Sequence, residues 1–261
     1  MEPAARAMAE ALQEVDIKCK RTGCRNVAEE YAQALHMDCV WAQEFEELDS
    51  WFRSAALAGG GTHGNAVLSR WPIAKSGSVV HCQQFNWGRY GVLIGQPRRG
   101  QRVSVFCDVR CYDDAEPIRF TSVHLENFCG ILGRLQQLAE LDAPSGIIGG
   151  DFNTLSHGVL RFNPLYPGDR LRFQTFGLSE AEWWQQNILS SEEAARETCA
   201  QFPELAPLAD QLAKFHSFQD VFKKGETDAT ADHGVFVAKL DWILFESDTF
   251  RCVRSVVGPK G

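Results

Sequence analysis

Short apolar runs cut by glycine, proline and aspartate constrain the fold of this chain more than any other feature of it. They fall at Asp38–Trp41, Gly64–Ser69, Tyr90–Ile94, Val103–Val109, Phe120–Leu125, Gly146–Gly150 and Lys239–Phe245, and they are rich in Val, Ile and Phe. Such runs predict strands. Helices are predicted between some of them. Asn26 stands before Val27 with Glu29 three residues on, a capping pattern for a helix reaching about Leu35. Ile131, Leu135, Leu138 and Leu141 share one face of a helix over Gly130–Leu141. Ser179-Glu-Ala-Glu182 opens another, carrying Trp183 and Trp184, and Ser190-Ser-Glu-Glu193 opens a third. Trp71-Pro72 ends one strand, and Gln96–Gln101 reads as a hairpin-like turn between two others. Strands outnumber helices and several connections are short, which favours a mixed α/β domain over a doubly wound parallel sheet. The polar, mostly helical region from about 156 to 237 reads as an insertion in a single domain spanning 1–261.

Composition narrows the function classes. A net charge of −8 argues against non-specific nucleic-acid binding through a basic face, although a bound metal supplies local positive charge. Nine cysteines, an odd number with no Cys-x-x-Cys pair, point to free thiols in a reducing compartment and away from a zinc ribbon or a disulfide framework. Met1–Glu14 has no apolar core run, and no stretch reaches the roughly 18 apolar residues of a transmembrane helix. There is no Gly-x-Ser-x-Gly, no P-loop and no His-Glu-x-x-His.

Five segments carry candidate chemistry. In Gly146-Ile-Ile-Gly-Gly-Asp151-Phe-Asn153-Thr-Leu, a buried strand runs into two glycines, and Asp151 and Asn153 leave one face of an extended segment. Taken alone, the same residues equally describe an Asx turn at a strand end. Ala238-Lys-Leu-Asp241-Trp-Ile-Leu-Phe245 holds one carboxylate inside an apolar run. That carboxylate needs a metal, a His or an Arg as partner unless the run lies at a solvated edge, as Lys239 on the same face suggests. Phe120-Thr-Ser-Val-His124-Leu-Glu-Asn127 puts His124 on a strand, where a lone His is more often structural. Gln13-Glu14 and Gly64-Asn65-Ala-Val-Leu-Ser-Arg70 add little singly.

In this order, from Leu12 to Phe245, the five segments resemble the endonuclease/exonuclease/phosphatase superfamily, which includes pancreatic deoxyribonuclease, abasic-site endonucleases, neutral sphingomyelinases and inositol polyphosphate 5-phosphatases. The resemblance implies an α/β (mixed) fold, a two-sheet β-sandwich flanked by helices in four layers. It also implies metal-dependent hydrolysis of a phosphodiester or phosphomonoester, the substrate being nucleic acid, a lipid headgroup or a small phosphoester. By motif position, Glu14 would hold Mg2+ or Mn2+. Asp151 would position or deprotonate the attacking water, Asn153 would orient water and phosphate, and His124 would donate to the phosphorane oxygens. Asp241 would orient a further His, and Asn65 and Arg70 would contact substrate. Glu44, which also follows a Gln, is the alternative metal ligand. Glu14 is preferred because a helix follows it and a strand then leads to the Gly64–Arg70 segment, as in the family. These residues are expected to meet in one acidic pocket. Hard oxygen donors select Mg2+ or Mn2+, and Mg2+ keeps several waters, so one or two carboxylates suffice.

Two departures accompany the resemblance. The family opens with a strand ending in Asn and closes with an Asp-His pair. Here Met1-Glu-Pro-Ala-Ala-Arg6 opens the chain and no Asp-His follows Asp241. The domain is therefore expected to be incomplete at both ends, and a catalytically impaired phosphoesterase-like module is the competing function. Asp232-His233 and His157 are the outside candidates for the absent His. Trp183-Trp184 could rim a lipid site, and Arg70, Arg98, Arg99, Arg102, Arg170 and Arg172 could line a nucleic-acid groove; core packing and solvated surface are the respective alternatives.

Overall fold

A computed structural model describes residues 9–50, 54–112, 115–141, 146–154, 171, 179–222, 231–232 and 237–256. The architecture is the mixed α/β class expected from the sequence, with two sheets and flanking helices. The chain divides into two compact units, Met1–His81 with Phe85–His124, and Cys82–Gln84 with Leu125–Gly261.

The first unit is a sandwich. Strands β1 (Ala9–Ile17), β2 (Asp38–Glu47), β3 (Gly61–Ser69) and β5 (Arg98–Gly100) form an antiparallel sheet in the order β1-β3-β2-β5. Strands β4 (Ile73–Val80), β6 (Val103–Val109) and β7 (Ile118–His124) pair antiparallel in that order. Between the two layers lie Val67, Val105, Cys107 and Val109, with Val40, Ala42, Ile73 and Phe120 packed around them. Helix α1 (Val27–Leu35) buries Ala28 and Ala32, which meet Val15, Ala66, Leu68 and Met37. Its start is the one read from the sequence, since the Asn26 side chain accepts from Glu29 N–H. It stops at His36, whose φ is +55°.

Both strands beside β3 carry a bulge at the same level. The register of β1 slips between Leu12 and Val15, and that of β2 between Gln43 and Phe45. The first slip contains Gln13 and Glu14, the second contains Glu44 after the paired Gln43, and both flank Gly64. A bulge bends its strand and re-aims a side chain. At Glu14 the re-aiming reaches φ +55°, a sparsely populated conformation outside glycine. At Gly64 the backbones come so close that an added Cβ would stand 1.9 Å from the Ala42 carbonyl oxygen.

The structure corrects two sequence expectations here. Tyr90–Ile94 is not a strand; a short helix α2 (Trp87–Tyr90), capped by Asn86, leads into turns through residue 95. Its aliphatic residues have no partner strand, and Trp87 alone is buried from α2. Gln96–Gln101 is not simply a turn, because Arg98–Gly100 pairs with the end of β2. Arg98 is drawn in by stacking, its guanidinium carbon 3.5 Å from the Trp87 ring centre and 4.1 Å from that of Phe45.

In the second unit β12 (Asp241–Glu246) runs between β8 (Ile147–Asp151) and β9 (Phe218–Asp220), antiparallel to both. Helix α3 (Gly130–Ala139) buries Ile131, Leu135 and Leu138 together with Arg134 and Gln137. Helices α4 (Glu180–Asn187), α5 (Glu192–Gln201) and α6 (Ala209–Ala213) occupy the described part of the region read as a helical insertion. Ser179 and Glu182 form a reciprocal capping box at α4, and Ser191 caps α5. Trp183 and Trp184 are both buried, so neither forms an exposed lipid rim, and Trp184 packs with Phe152 and Trp242. Arg134 and Glu180, both fully buried, join α3 to α4 through a two-pronged ion pair. Strands β10 (Ala231–Asp232) and β11 (Val237–Ala238) make a small antiparallel pair. No helix among the described residues is long and apolar enough to cross a membrane. His157, Arg170, Arg172 and His233 lie outside the described residues.

Replacing Gly64 with Ala is expected to destabilise the protein by about 3 kcal/mol, the upper end for overpacking, because the obstructing atom is backbone. Urea denaturation of the variant against wild type measures it; an unchanged midpoint would contradict the close approach of β2 and β3.

Candidate active site

The first unit buries an unusual density of charge. Glu44, re-aimed by the β2 bulge, is fully enclosed. Its Oε1 accepts from Val103 N–H at 3.3 Å and its Oε2 from Arg102 Nη1 at 3.3 Å. His124 Nδ1 is 3.4 Å from the same Oε2, and His63 Nε2 is 3.7 Å from it. On its other side His63 presents Nδ1 to Glu47 Oε1 at 3.1 Å. Glu47 in turn accepts from Arg21 at 3.3 Å, and Arg21 grips Asp16 with two bonds of 2.7 and 2.5 Å. A continuous string of charged and imidazole side chains thus runs from Asp16 to His124. Burial alone would raise the Glu44 pKa, but Arg102, His124 and His63 together outweigh it and hold the carboxyl at about 2.

The same string fixes the orientation of His124. Arg102 Nη1 stands 2.8 Å from His124 Nδ1. A guanidinium only donates, so in the neutral ring this contact calls for Nδ1 as acceptor and the proton on Nε2, and the protonated ring carries an Nε2–H as well. His124 then offers an N–H donor from Nε2. Glu14 occupies the other bulge with its side chain exposed. Desolvation by the protein around its base raises its pKa, but His124, His63, Arg102 and Arg98 lower it by more, for a net downward shift. The structure therefore brings Glu14, Glu44 and His124 into one electrostatic neighbourhood.

The second unit assembles Asp151, Asn153 and Asp241. Asp151 ends β8 and Asp241 begins β12, and the two stand directly opposite in the antiparallel ladder. Like charges in that position repel. The Asx turn suggested by the sequence forms, since Asn153 N–H donates to Asp151 Oδ1 at 2.8 Å. Asn153 itself has φ +49°, and its Nδ2 donates to the Leu125 carbonyl at 2.8 Å. Leu125 N–H donates to Asp151 O, and Phe152 N–H to Leu240 O. Trp242 Nε1 donates to Thr154 Oγ1 at 3.2 Å, while that hydroxyl donates to the Lys239 carbonyl. The turn that follows Asp151 is thus held by backbone bonds, while Asp241 is exposed at the start of β12. Lys239, which the sequence placed on the Asp241 face, pairs instead with the buried Asp220, whose pKa burial raises.

Asn65 and Arg70 are placed apart. Asn65 is fully buried, with Nδ2 donating to the Val103 carbonyl at 2.5 Å. Arg70 follows the far end of β3, seven residues or roughly 23 Å of extended chain from His63. There it borders a depression of about 670 Å³ with Trp41, Asp38 and His36. Arg98 and Arg102 are buried partners of Glu47 and Glu44, which corrects their reading as a solvent-facing groove. Sequence reasoning missed His63 and Glu47. Period-two alternation along β3 puts His63 on the Asn65 face, and that signal was available.

The chain belongs to the Endonuclease/Exonuclease/phosphatase family, whose model matches residues 11–261. No curated protein matches it. Solved structures similar to it include an endonuclease/exonuclease/phosphatase from Beutenbergia cavernae, at 15% identity and TM-score 0.42, covering 90% of this chain and 61% of that one. ANGEL2, a 2',3'-cyclic phosphatase, matches at 14% identity and TM-score 0.48 over 92% of this chain and 70% of that one. The human Nocturnin catalytic domain matches at 12% identity and TM-score 0.39 over 94% and 84%. The chain spans 61% of the length of the Beutenbergia protein.

Family members are generally divalent-metal dependent. The donor chemistry present in each unit is of the kind a hard cation takes: Glu14 offers carboxylate oxygens in the first, and Asp151 and Asp241, opposite each other in the ladder, offer them in the second. Among the described residues no group of three or more His, Cys, Asp or Glu side chains is arranged as a metal site.

Glu44 generates a pH prediction. Its folded pKa of about 2 lies below the ordinary 4.5, so its contribution is complete above about pH 4.5 and lost as pH falls toward about 2. That contribution is about 3 kcal/mol. Glu44→Gln is expected to flatten the acid limb of stability and, by leaving Arg102 against a neutral amide, to lower stability near pH 7 by about 3 kcal/mol. Urea denaturation across that range tests both; parallel curves for variant and wild type would show that Glu44 is not held ionised.

Proposed function

We propose that this protein hydrolyses a phosphoester with the help of a bound divalent cation, Mg2+ or Mn2+. The observation that carries the reading is the pair of carboxylates, Asp151 and Asp241, set opposite each other at the end of a backbone-clamped strand pair. Carboxylates brought together on neighbouring strands favour a cation between them, because opposite charge relieves their mutual repulsion. Glu14 is the proposed metal ligand. It is exposed and electrostatically held in its ionised form, whereas both oxygens of Glu44 are already engaged by Arg102 and Val103.

When bound, the cation would supply positive charge to a phosphoryl group whose oxygens gain negative charge during hydrolysis. Asp151 would accept the proton of the attacking water. Asn153, fixed by its bond to Leu125, would orient that water and the phosphate. His124, with its proton on Nε2, would donate to the same oxygens, and Arg102 sets that tautomer. This division suits phosphoryl transfer, in which positioning and electrostatic stabilisation supply most of the rate. Nucleic acid, a lipid headgroup and a small phosphoester all present the group these residues address.

Hydrolysis of bis(p-nitrophenyl) phosphate is expected with Mg2+ and is expected to stop on chelation. Asp151→Asn should lower kcat by about 100-fold or more, the ordinary range for losing a general base. Glu14→Gln should weaken Mg2+ binding by calorimetry more than Glu44→Gln. Metal binding with no turnover would contradict the proposed hydrolysis, and loss of binding in the Glu44 variant alone would move the ligand to Glu44.

A further inference from the structure

The turns after α2 expose aliphatic surface that the fold does not use. Leu93 is 79% exposed and Val92 59%, beside Tyr90 at 37%. The tip is built firmly. Gly91 N–H donates to Trp87 O at 2.8 Å, Leu93 N–H to Tyr90 O at 3.0 Å, and Gln96 N–H closes back on Gly91 O at 2.7 Å. Gly95, at φ +75°, makes the last turn. The base is locked where Arg98 lies between Trp87 and Phe45. Leu93 and Val92 are thus presented to water by a rigid support, which is unfavourable unless something apolar covers them.

Charge indicates what that is. The chain carries −8 overall, yet residues 50–107 contain no Asp or Glu, and of their basic residues Arg98 and Arg102 are the ones buried against Glu47 and Glu44. The tip lies within this stretch, with Arg89 and Arg99 exposed on either side of it. Arg99 faces Glu46 across the β2–β5 pairing, so Arg89, seated over the Tyr90 ring, is the less compensated of the two. An acidic protein approaches an anionic surface only through a face where its charge is reversed. Aliphatic side chains at the apex with Tyr and Arg behind them match the layering of a bilayer interface: hydrocarbon first, then aromatic, then phosphate. Nucleic acid would call for aromatic faces at the apex rather than Val and Leu.

We propose that the 90–95 tip docks this protein on an anionic lipid surface, with Leu93 and Val92 entering the acyl boundary and Arg89 and Arg99 meeting lipid phosphates. The proposal stands apart from hydrolysis and is tested by binding. The full chain is sedimented with vesicles of phosphatidylcholine and phosphatidylserine in equal amounts, and with vesicles of phosphatidylcholine alone. Binding is expected to the mixed vesicles, to weaken with salt, and to be several-fold weaker on phosphatidylcholine. The double variant Val92→Ser/Leu93→Ser, both sites exposed, should keep the wild-type circular dichroism and partition at least about tenfold less; Arg89→Gln should reduce binding to the mixed vesicles only. Failure of the wild type to sediment with mixed vesicles, or equal sedimentation of the double variant, overturns the proposal. So does a dimer in light scattering, or single-stranded oligonucleotide binding, that the double variant abolishes while vesicle binding is unchanged.

Discussion

A carboxylate with no access to water must be neutralised where it stands, and Glu44 organises the first unit around that requirement. Arg102 and Val103 N–H satisfy its two oxygens, and Arg102 extends to His124. His63 links Glu44 to Glu47, and Arg21 links Glu47 to Asp16. Each charge is tolerable only because the next is in place, since an isolated buried ion costs several kcal/mol even after relaxation. The arrangement therefore sets more than stability. It fixes the ring of His124 on β7 against β2, and it draws Arg98 and Arg102 inward at the points where β5 and β6 begin.

The second unit reaches comparable rigidity by a different route. Its carboxylates are placed by backbone. The strand β8 ends in a turn whose N–H groups and carbonyls are taken by Asp151, Leu125 and Leu240, and Trp242 closes over Thr154. Beneath it Phe152, Trp184 and Trp242 form an aromatic floor, to which α4 contributes Trp184 while the buried Arg134–Glu180 pair holds α4 to α3. The helices after Ser179 are in this way structural to the strand-end turn, and the paired tryptophans serve packing.

What the sequence made legible was local. The segment from Gly146 to Thr154 carries its own turn chemistry, so its strand, its Asx turn and its apolar lead could be read without knowing its neighbours. The same holds for Val103–Val109, whose β-branched run is strand β6, and for the Asn26 and Ser179 caps. What was not legible depended on contacts distant along the chain. Arg98 and Arg102 look like surface cations until Phe45 and Trp87 are seen to stack on them. Tyr90–Ile94 has the composition of a strand, but its fate follows from the burial of Trp87 and the absence of a pairing partner. Arg70 belongs to a recognisable motif, yet the length of β3 carries it far from His63.

The two Gln-Glu pairs show how the sheet, rather than the dipeptide, assigns a role. Both sit at bulges beside Gly64, and from sequence alone they were rivals for one function. β2 lies between β3 and β5, so the side chain re-aimed by its bulge is enclosed and must be answered by the protein's own cations. β1 has β3 on one side only in this sheet, and the side chain re-aimed there stays exposed. Glu14 is held ionised and stays exposed, and an ionised, accessible carboxylate can exchange water for a hard cation. The enclosed glutamate cannot do so without first releasing Arg102. One geometric device thus yields a structural anion on the inner strand and the proposed metal ligand on the outer one.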